Sequence, residues 1–284
     1  MGRIVFIHGH FLPQEEARIG LFDRGFLFGD AVYEVTAVIA GRMIDNDLHL
    51  ARLERSLGEL GIPVPHSRAE IEAIQQKLIA LNGLMDGTVY LQVSRGEAER
   101  DFLYPETITP KLVGFTQAKI LTGTKAQREG IAVDLADDPR WHRRDIKTSM
   151  LLGQVRAKHA ARARGFDDVW LLEAGFVTEG ASATAHIITR EGRILTRAAS
   201  QVTLPGCTQR AIARLCEAEG LHIEERAFTP EEAQGAAEAF QTSASSLVMP
   251  VVRIGSRVIG DGKPGPRTRR LQSLYLEAAG VPLQ

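Results

Sequence analysis

Asp145-Ile146-Lys147-Thr148-Ser149 and, about thirty residues on, Val177-Thr178-Glu179-Gly180 decide how this chain reads. The first stretch places a lysine in a short polar break between a predicted strand and a predicted helix. The second places a glutamate in a predicted turn beside a glycine. A lysine amine can add to an aldehyde and form a covalent link. A carboxylate can hold a ring nitrogen protonated, which makes that ring a better acceptor of an electron pair. A loop lysine is ordinarily a solvated charge, and a glutamate near a glycine is ordinarily a turn residue. The information lies in the pair and its order.

Around this pair the chain divides into an α+β unit and a larger strand-rich one. Alternation predicts strands at Arg3 to Phe11 and Val32 to Ile44, the second turned at Ala40-Gly41. Asn46 or Asp47 can cap a helix whose Leu50, Leu53, Leu57 and Leu60 form an apolar stripe, ended by Gly61 and Pro63. Ser67-Arg68-Ala69-Glu70 is a capping box and opens a helix to about Leu81. Strands follow at Thr88 to Ser94 and Lys111 to Thr116. The expected domains are 1–118 and 131–284, joined by a linker at 119–130. The second unit is expected to hold a strand near Ile131 to Leu135 and a helix from Ser149 to Arg164. Strands are then expected at Val169 to Leu172 and in a hairpin from Ala185 to Thr196. A helix from Thr208 to Glu219 precedes strands at His222 to Arg226 and Leu247 to Val258. A final helix spans Thr268 to Ala279.

Composition excludes several classes. The chain has 284 residues, 44% hydrophobic and 24% charged, with a formal net charge of -1. That is a soluble globular balance, with no basic surplus for nucleic acid. Two cysteines, Cys207 and Cys216, make no disulfide framework and fit a reducing cytoplasm. The first residues lack a long apolar run, so no signal peptide is expected, and no stretch is long enough to span a membrane. His8-Gly9-His10 lacks a third ligand, so no metal is expected. Gly260-Asp261-Gly262-Lys263 lacks the spacing of a P-loop and reads as a turn.

Three more segments complete the pattern. Asp23-Arg24-Gly25 leads into Phe28-Gly29-Asp30-Ala31-Val32-Tyr33-Glu34, where two glycines bracketing aromatics predict a tight turn feeding a strand. His49-Leu50-Ala51-Arg52-Leu53 lies on the first long helix, with Arg52 off its apolar stripe. Leu204-Pro205-Gly206-Cys207-Thr208-Gln209-Arg210 opens another helix, whose bare N–H groups and positive end suit an anion.

With the lysine and glutamate motifs, these segments resemble the class IV aminotransferases, the fold-type IV pyridoxal phosphate (PLP) enzymes, along nearly the whole chain. The resemblance implies a two-domain α+β protein with the cofactor between the domains. It implies Lys147 as the lysine bonded to PLP and Glu179 as the partner of the pyridine nitrogen. Arg52, Leu204, Gly206, Cys207 and Thr208 are implied at the cofactor phosphate. Thr242-Ser243-Ala244-Ser245-Ser246 is similar to a second phosphate loop. Ala244 stands where relatives often carry a threonine, leaving backbone N–H groups or the hydroxyls of Ser243 and Ser245 to serve, and Ser245 is also implied at the substrate. The family also implies a homodimer.

Within that family, Tyr90 to Gly96 followed by Arg100 most resembles the D-amino-acid aminotransferases. There an Arg-x-His step and the strand tyrosine, here Tyr33, bind the substrate carboxylate. This chain reads Arg100-Asp101-Phe102. The arginine is kept and the histidine is replaced, which weakens carboxylate binding and favours an apolar group. The expectation is transamination between a D-amino acid and a 2-oxo acid in the cytoplasm. The alternatives are an (R)-selective amine transaminase, an aminodeoxychorismate-type lyase and a branched-chain aminotransferase.

Overall fold

The alternating N-terminal stretch folds as two strands, not one. In the computed structural model, which describes residues 2–281, β1 (Ile4–Ile7) and β2 (His10–Pro13) form a hairpin. It turns on His8 and Gly9, both at positive φ, a pairing that matches the twist of the flanking strands. The expected turn at Gly25 to Gly29 is instead a short helix, α1 (Arg24–Phe28). Asp23 Oδ1 accepts from the N–H groups of Gly25 and Phe26, and Gly29 ends the helix in the left-handed region at φ 68°. β3 (Ala31–Ile39) and β4 (Arg42–Met43) follow, then α2 (Asn46–Glu59), α3 (Arg68–Leu81), β5 (Gly87–Ser94) and β6 (Lys111–Ala118).

These strands make a six-stranded antiparallel sheet in the order β2-β1-β6-β5-β3-β4. Period two sends Val32, Glu34 and Thr36 to the face that α2 and α3 cover. Tyr33 and Val35 take the other face. Leu53, Leu57 and Leu78 are almost wholly buried against Val32, Val89, Leu91 and Val93. Each such leucine contributes roughly 1.5–3 kcal/mol. Asn46, a predicted cap, lies inside α2, which Asp45 precedes. The Asn46 side chain bonds Thr36 and Gln75, tying strand to both helices. The capping box at Ser67 and Glu70 is formed as the sequence predicts.

The chain folds as two units, one holding residues up to Ile120 with Ile146–Met150, the other Leu121–Asp145 and the chain from Leu151. The segment expected as a linker carries α4 (Lys125–Glu129), closed by a capping box between Thr124 and Gln127. Gln127 is buried and donates to Leu121 and Ser246 carbonyls, so this stretch is packed into the second unit.

The second unit continues with β7 (Ile131–Asp137), α5 (Leu152–Ala163), β8 (Asp168–Glu173), β9 (Phe176–Gly180), β10 (Thr184–Ile188) and β11 (Ile194–Thr196). α6 (Cys207–Ala218), β12 (Ile223–Glu225), α7 (Pro230–Gln234), β13 (Glu238–Ser243), β14 (Leu247–Ile254), β15 (Arg257–Val258) and α8 (Pro266–Ala278) complete it. Its mixed sheet runs β12-β11-β10-β13-β14-β7-β8-β9, with β15 on β14. Val133, Trp170, Val177, Ile187, Phe228 and Val251 form one core beneath it. No helix among the described residues is long and apolar enough to cross a membrane.

His186 on β10 is fully buried, stacked on Phe240 with ring centroids 4.5 Å apart. Its Nε2 lies 3.2 Å from Thr242 Oγ1, and its Nδ1 has no hydrogen-bond partner among the described residues. Burial pushes its pKa down to about 3. The neutral ring is therefore fully tolerated above the unfolded value near 6.5, and stability falls as pH drops below it. Between pH 7 and pH 5 this residue alone is expected to withdraw about 2 kcal/mol. His186→Gln should remove that share of the slope in urea unfolding. An equal slope in parent and variant would show that the ring is not held neutral.

Candidate active site

β4 covers only Val38 and Ile39 on its edge of β3, leaving Ala31 to Tyr33 free to pair. The lysine segment takes that place. Tyr33 N–H donates to Lys147 O at 3.0 Å, and Ser149 N–H donates to Ala31 O at 3.0 Å. Ile146 sits in the core under the sheet, anchoring the segment. Lys147 Nζ lies 4.3 Å from the centre of the Tyr33 ring, so a half-buried cation rests on an aromatic face. Tyr33 continues into a stack with Tyr90 and Phe115 across β3, β5 and β6, at 5.5 and 4.7 Å. Sequence thus brings Lys147 and Tyr33 together on the sheet face away from α2 and α3.

Arg52 is on the other face. It is buried, not solvated as its place off the leucine stripe suggests. Its Nε and Nη2 donate to the two Glu34 oxygens at 2.7 and 2.9 Å, and His49 Nδ1 meets Glu34 Oε2 at 2.7 Å. Burial by itself would raise the Glu34 pKa, but Arg52 and His49 hold it well below the usual carboxylate range. Removing one partner of a buried pair leaves an uncompensated charge. Arg52→Ala should therefore lower unfolding stability by about 3 kcal/mol, the lower end of the range for such a break, because His49 still serves Glu34. A loss below about 1 kcal/mol in urea unfolding would place Arg52 with ordinary surface pairs.

In the second unit Glu179 lies on strand β9, not in a turn. The turn is one step earlier, at Ala174 and Gly175, both at positive φ. Glu179 is buried, and Arg140 Nη1 donates to its Oε1 at 2.5 Å. The Leu204 N–H donates to both oxygens, at 3.2 and 3.3 Å. Burial pushes the Glu179 carboxyl above its ordinary pKa, while Arg140 and the Leu204 N–H act against that rise. Arg140 is itself gripped by Asp138 through Nε at 2.9 Å and Nη2 at 2.7 Å. Thr178 Oγ1 donates to Asp138 Oδ2 at 2.8 Å, and Arg144 bonds Glu173. The glutamate motif is thus a fixed carboxylate backed by a guanidinium that another carboxylate holds.

Leu204 and Gly206 open α6. Gly206 is its N-cap and offers no side-chain cap, so the first N–H groups are free of that partner. A Cβ at Gly206 would come within 2.6 Å of Thr184 Oγ1, so this turn admits only glycine without a shift. Cys207 and Thr208 are buried in the first turn of the helix. The turn Ser243 to Ser246 joins β13 to β14. Ser243 Oγ lies 2.7 Å from Ser246 Oγ and 3.4 Å from Ser245 Oγ, and it accepts from the Ser246 N–H at 3.2 Å. Ala244 is half-buried in this turn.

Arg100 and Phe102 lie on the long connection between β5 and β6. Both are exposed. Arg100 rests on the rings of Phe28 and Phe102, at 5.4 and 5.6 Å. Tyr33, the other carboxylate-binding candidate of the sequence, meets the Lys147 side chain and the Tyr90 ring.

Glu34, His49, Asp138 and Arg140 are the residues of these clusters to which the sequence reading gave no role. Their signal is present only as position: Glu34 closes one motif, His49 opens another, and Arg140 precedes the lysine by seven places.

The family model for amino-transferase class IV matches residues 31–254. The D-alanine aminotransferase of Bacillus licheniformis is 37% identical over 95% of this chain and 94% of its own length. Among solved structures, the branched-chain amino acid aminotransferase of Escherichia coli superposes with a TM-score of 0.91 at 20% identity, covering 98% of this chain and 94% of that one. The branched-chain aminotransferase of the archaeon Thermoproteus uzoniensis, solved with norvaline, superposes at 0.87 and 23% identity, over 97% and 94%. The lysine strand-pairing, the fixed glutamate and the glycine-opened helix thus occur in a chain matched from β3 to the end of β14, and that chain belongs to the class IV aminotransferases.

Proposed function

We propose that the protein transfers an amino group from a D-amino acid to a 2-oxo acid, with PLP as cofactor. The observation that carries this reading is the near full-length likeness to a D-alanine aminotransferase. The residues fit the cofactor. Glu179 is a buried carboxylate with fixed partners, suited to a protonated ring nitrogen. The uncapped α6 terminus and the Gly206 cradle suit a phosphate dianion. Ser243 and Ser245 add hydroxyls that this anion can recruit.

Bound PLP supplies the aldehyde that the donor amine adds to and a ring that takes up the electron pair left at Cα. Lys147 would hold the cofactor covalently, and its amine would move the proton at the substrate Cα. Glu179 would hold the proton on the ring nitrogen. Leu204, Gly206, Cys207 and Thr208 would bind the phosphate, and Arg52, held here by Glu34, is the remaining phosphate candidate. Tyr33 and Arg100 orient the substrate carboxylate.

D-alanine with 2-oxoglutarate should give pyruvate and glutamate in equal amounts over many turnovers. Pyruvate released in excess of enzyme from aminodeoxychorismate, without any 2-oxo acid, would indicate a lyase and overturn the reading.

The second reading, an (R)-amine donor, is favoured by Phe102, which is 78% exposed beside the Phe28 ring. Arg100 separates the two. Arg100→Ala should raise the KM for D-alanine roughly ten-fold or more, the loss of one charge-assisted hydrogen bond. The rate with (R)-1-phenylethylamine, which has no carboxylate, should stay within about two-fold. Equal losses on both donors would remove Arg100 from the substrate.

A homodimer is part of this reading. Leu21, Phe26 and Leu103 are 68%, 68% and 76% exposed in the first unit, apolar side chains that a partner could cover. The two buried free cysteines fit a reducing cytoplasm.

A further inference from the structure

The connection between β5 and β6 runs from Arg95 to Pro110 and contains no helix or strand of its own. Loops this long are uncommon in compact proteins unless they serve function. Its first part is tied by backbone: Arg24 N–H donates to Gly96 O at 2.8 Å, and Ala98 N–H to Phe22 O at 3.3 Å. Beyond Ala98 the attachment changes character.

Arg24 and Arg95 are each 3% exposed, and both bond one oxygen of one carboxylate, Asp30 Oδ2, at 2.9 and 2.7 Å. Two cations on one carboxylate leave a positive charge without an acid of its own. Carbonyls and ring faces take it up. Arg95 donates to Leu60 O at 2.7 Å and Gly61 O at 3.2 Å. Arg24 donates to Asp101 O at 2.7 Å and lies 4.7 Å from the Phe28 ring centre. Tyr104 serves both arginines, its ring centre 3.8 Å from Arg95 Cζ and 5.3 Å from Arg24 Cζ. Tyr104 is nevertheless 60% exposed, so its ring lies on the pair as a cover with its other face outward. A buried, partly unbalanced guanidinium is where a cation–π contact is strongest. Phe102 lies between the two holds, the Asp101 carbonyl and the Tyr104 ring, and Arg100 directly precedes the first, after the backbone tie at Ala98.

We propose that Tyr104 is a specificity-determining positioning residue: its ring, closed over Arg24 and Arg95, latches the 99–104 segment and so places Arg100 for carboxylate-bearing donors. The inference rests on the reading of Arg100 as the carboxylate ligand. It explains why an exposed arginine on an irregular loop can discriminate at all. A free loop would spend binding energy on ordering itself each time a donor arrived. The latch does that ordering in advance.

The experiment compares the PLP-loaded parent with Tyr104→Leu, Tyr104→Phe and Arg100→Ala. Hydrogen exchange of peptides covering 99–104 reads the latch directly, and the KM and kcat for D-alanine read its consequence. Tyr104→Leu keeps apolar bulk and loses the ring. It should speed exchange in the segment roughly three- to ten-fold and raise the KM by a similar factor, with kcat unchanged. Tyr104→Phe keeps the ring face and should restore both. Unchanged exchange in Tyr104→Leu overturns the latch. Faster exchange with an unchanged D-alanine KM, in a protein where Arg100→Ala does raise it, overturns the link to specificity while leaving Arg100 in place. If Arg100→Ala leaves the KM untouched, the carboxylate reading falls and the specificity claim with it, and the exchange rates still decide the latch.

Discussion

Lys147→Ala should retain the fold and lose transamination by roughly a thousand-fold or more, since in the proposed role one amine both holds the cofactor and carries the proton. The backbone explains why the fold survives. The segment is pinned through Lys147 O, the Ser149 N–H and buried Ile146, none of which needs the lysine side chain. The side chain contributes only its contact with the Tyr33 ring, half-buried and worth little to stability. The variant should bind PLP weakly and lack the visible absorbance of covalently held cofactor. Borohydride reduction of the parent followed by peptide mapping should find the pyridoxyl group on Lys147. A label on Lys158 or any other lysine, or an active Lys147→Ala protein, contradicts the assignment.

Glu179→Gln carries the second largest effect. Its fold should persist, because Asp138 still holds Arg140 through two bonds and the amide oxygen can still accept from the Leu204 N–H. The charge is what disappears. A neutral amide holds a proton on the ring nitrogen far less well, so removal of the Cα proton should slow by on the order of a hundred-fold, about 2.7 kcal/mol. The step is measured in single turnovers with D-alanine deuterated at Cα, where the isotope effect should grow in the variant. Rates equal to those of the parent would falsify the role of Glu179.

The lysine and glutamate were legible because each stands in a short motif whose wording is local. The core of the first unit was legible for the same reason: leucines at three- and four-residue spacing on α2 can face only one way. The failures are non-local. The resemblance implies Arg52 at the cofactor phosphate and says nothing of Glu34, which lies eighteen residues away on β3 and meets it only after the sheet forms. Arg140 carries no motif signal because a guanidinium's meaning lies in the acids that surround it, here Asp138 and Glu179. β9 reads as a turn because Gly175 precedes it and Gly180 ends it, and only pairing with β8 makes it a strand. β13 carries no alternating signal because its Glu238-Ala-Phe-Gln-Thr-Ser sequence is buried on both faces. Asp145-Ile146-Lys147 was placed in the larger domain by sequence order, yet Ile146–Met150 packs with the first unit, where the open edge of β3 receives it.

One spectroscopic measurement bears most directly on the account. The PLP-loaded protein is mixed rapidly with D-alanine, L-alanine or (R)-1-phenylethylamine, without any 2-oxo acid, and the visible band is followed through a single half-turnover. D-alanine should convert the cofactor to its amine form and release one equivalent of pyruvate, at a rate at least about a hundred times that with L-alanine. Conversion by L-alanine as fast as by D-alanine, or by the amine alone, would contradict the assignment of this chain to D-amino-acid transamination.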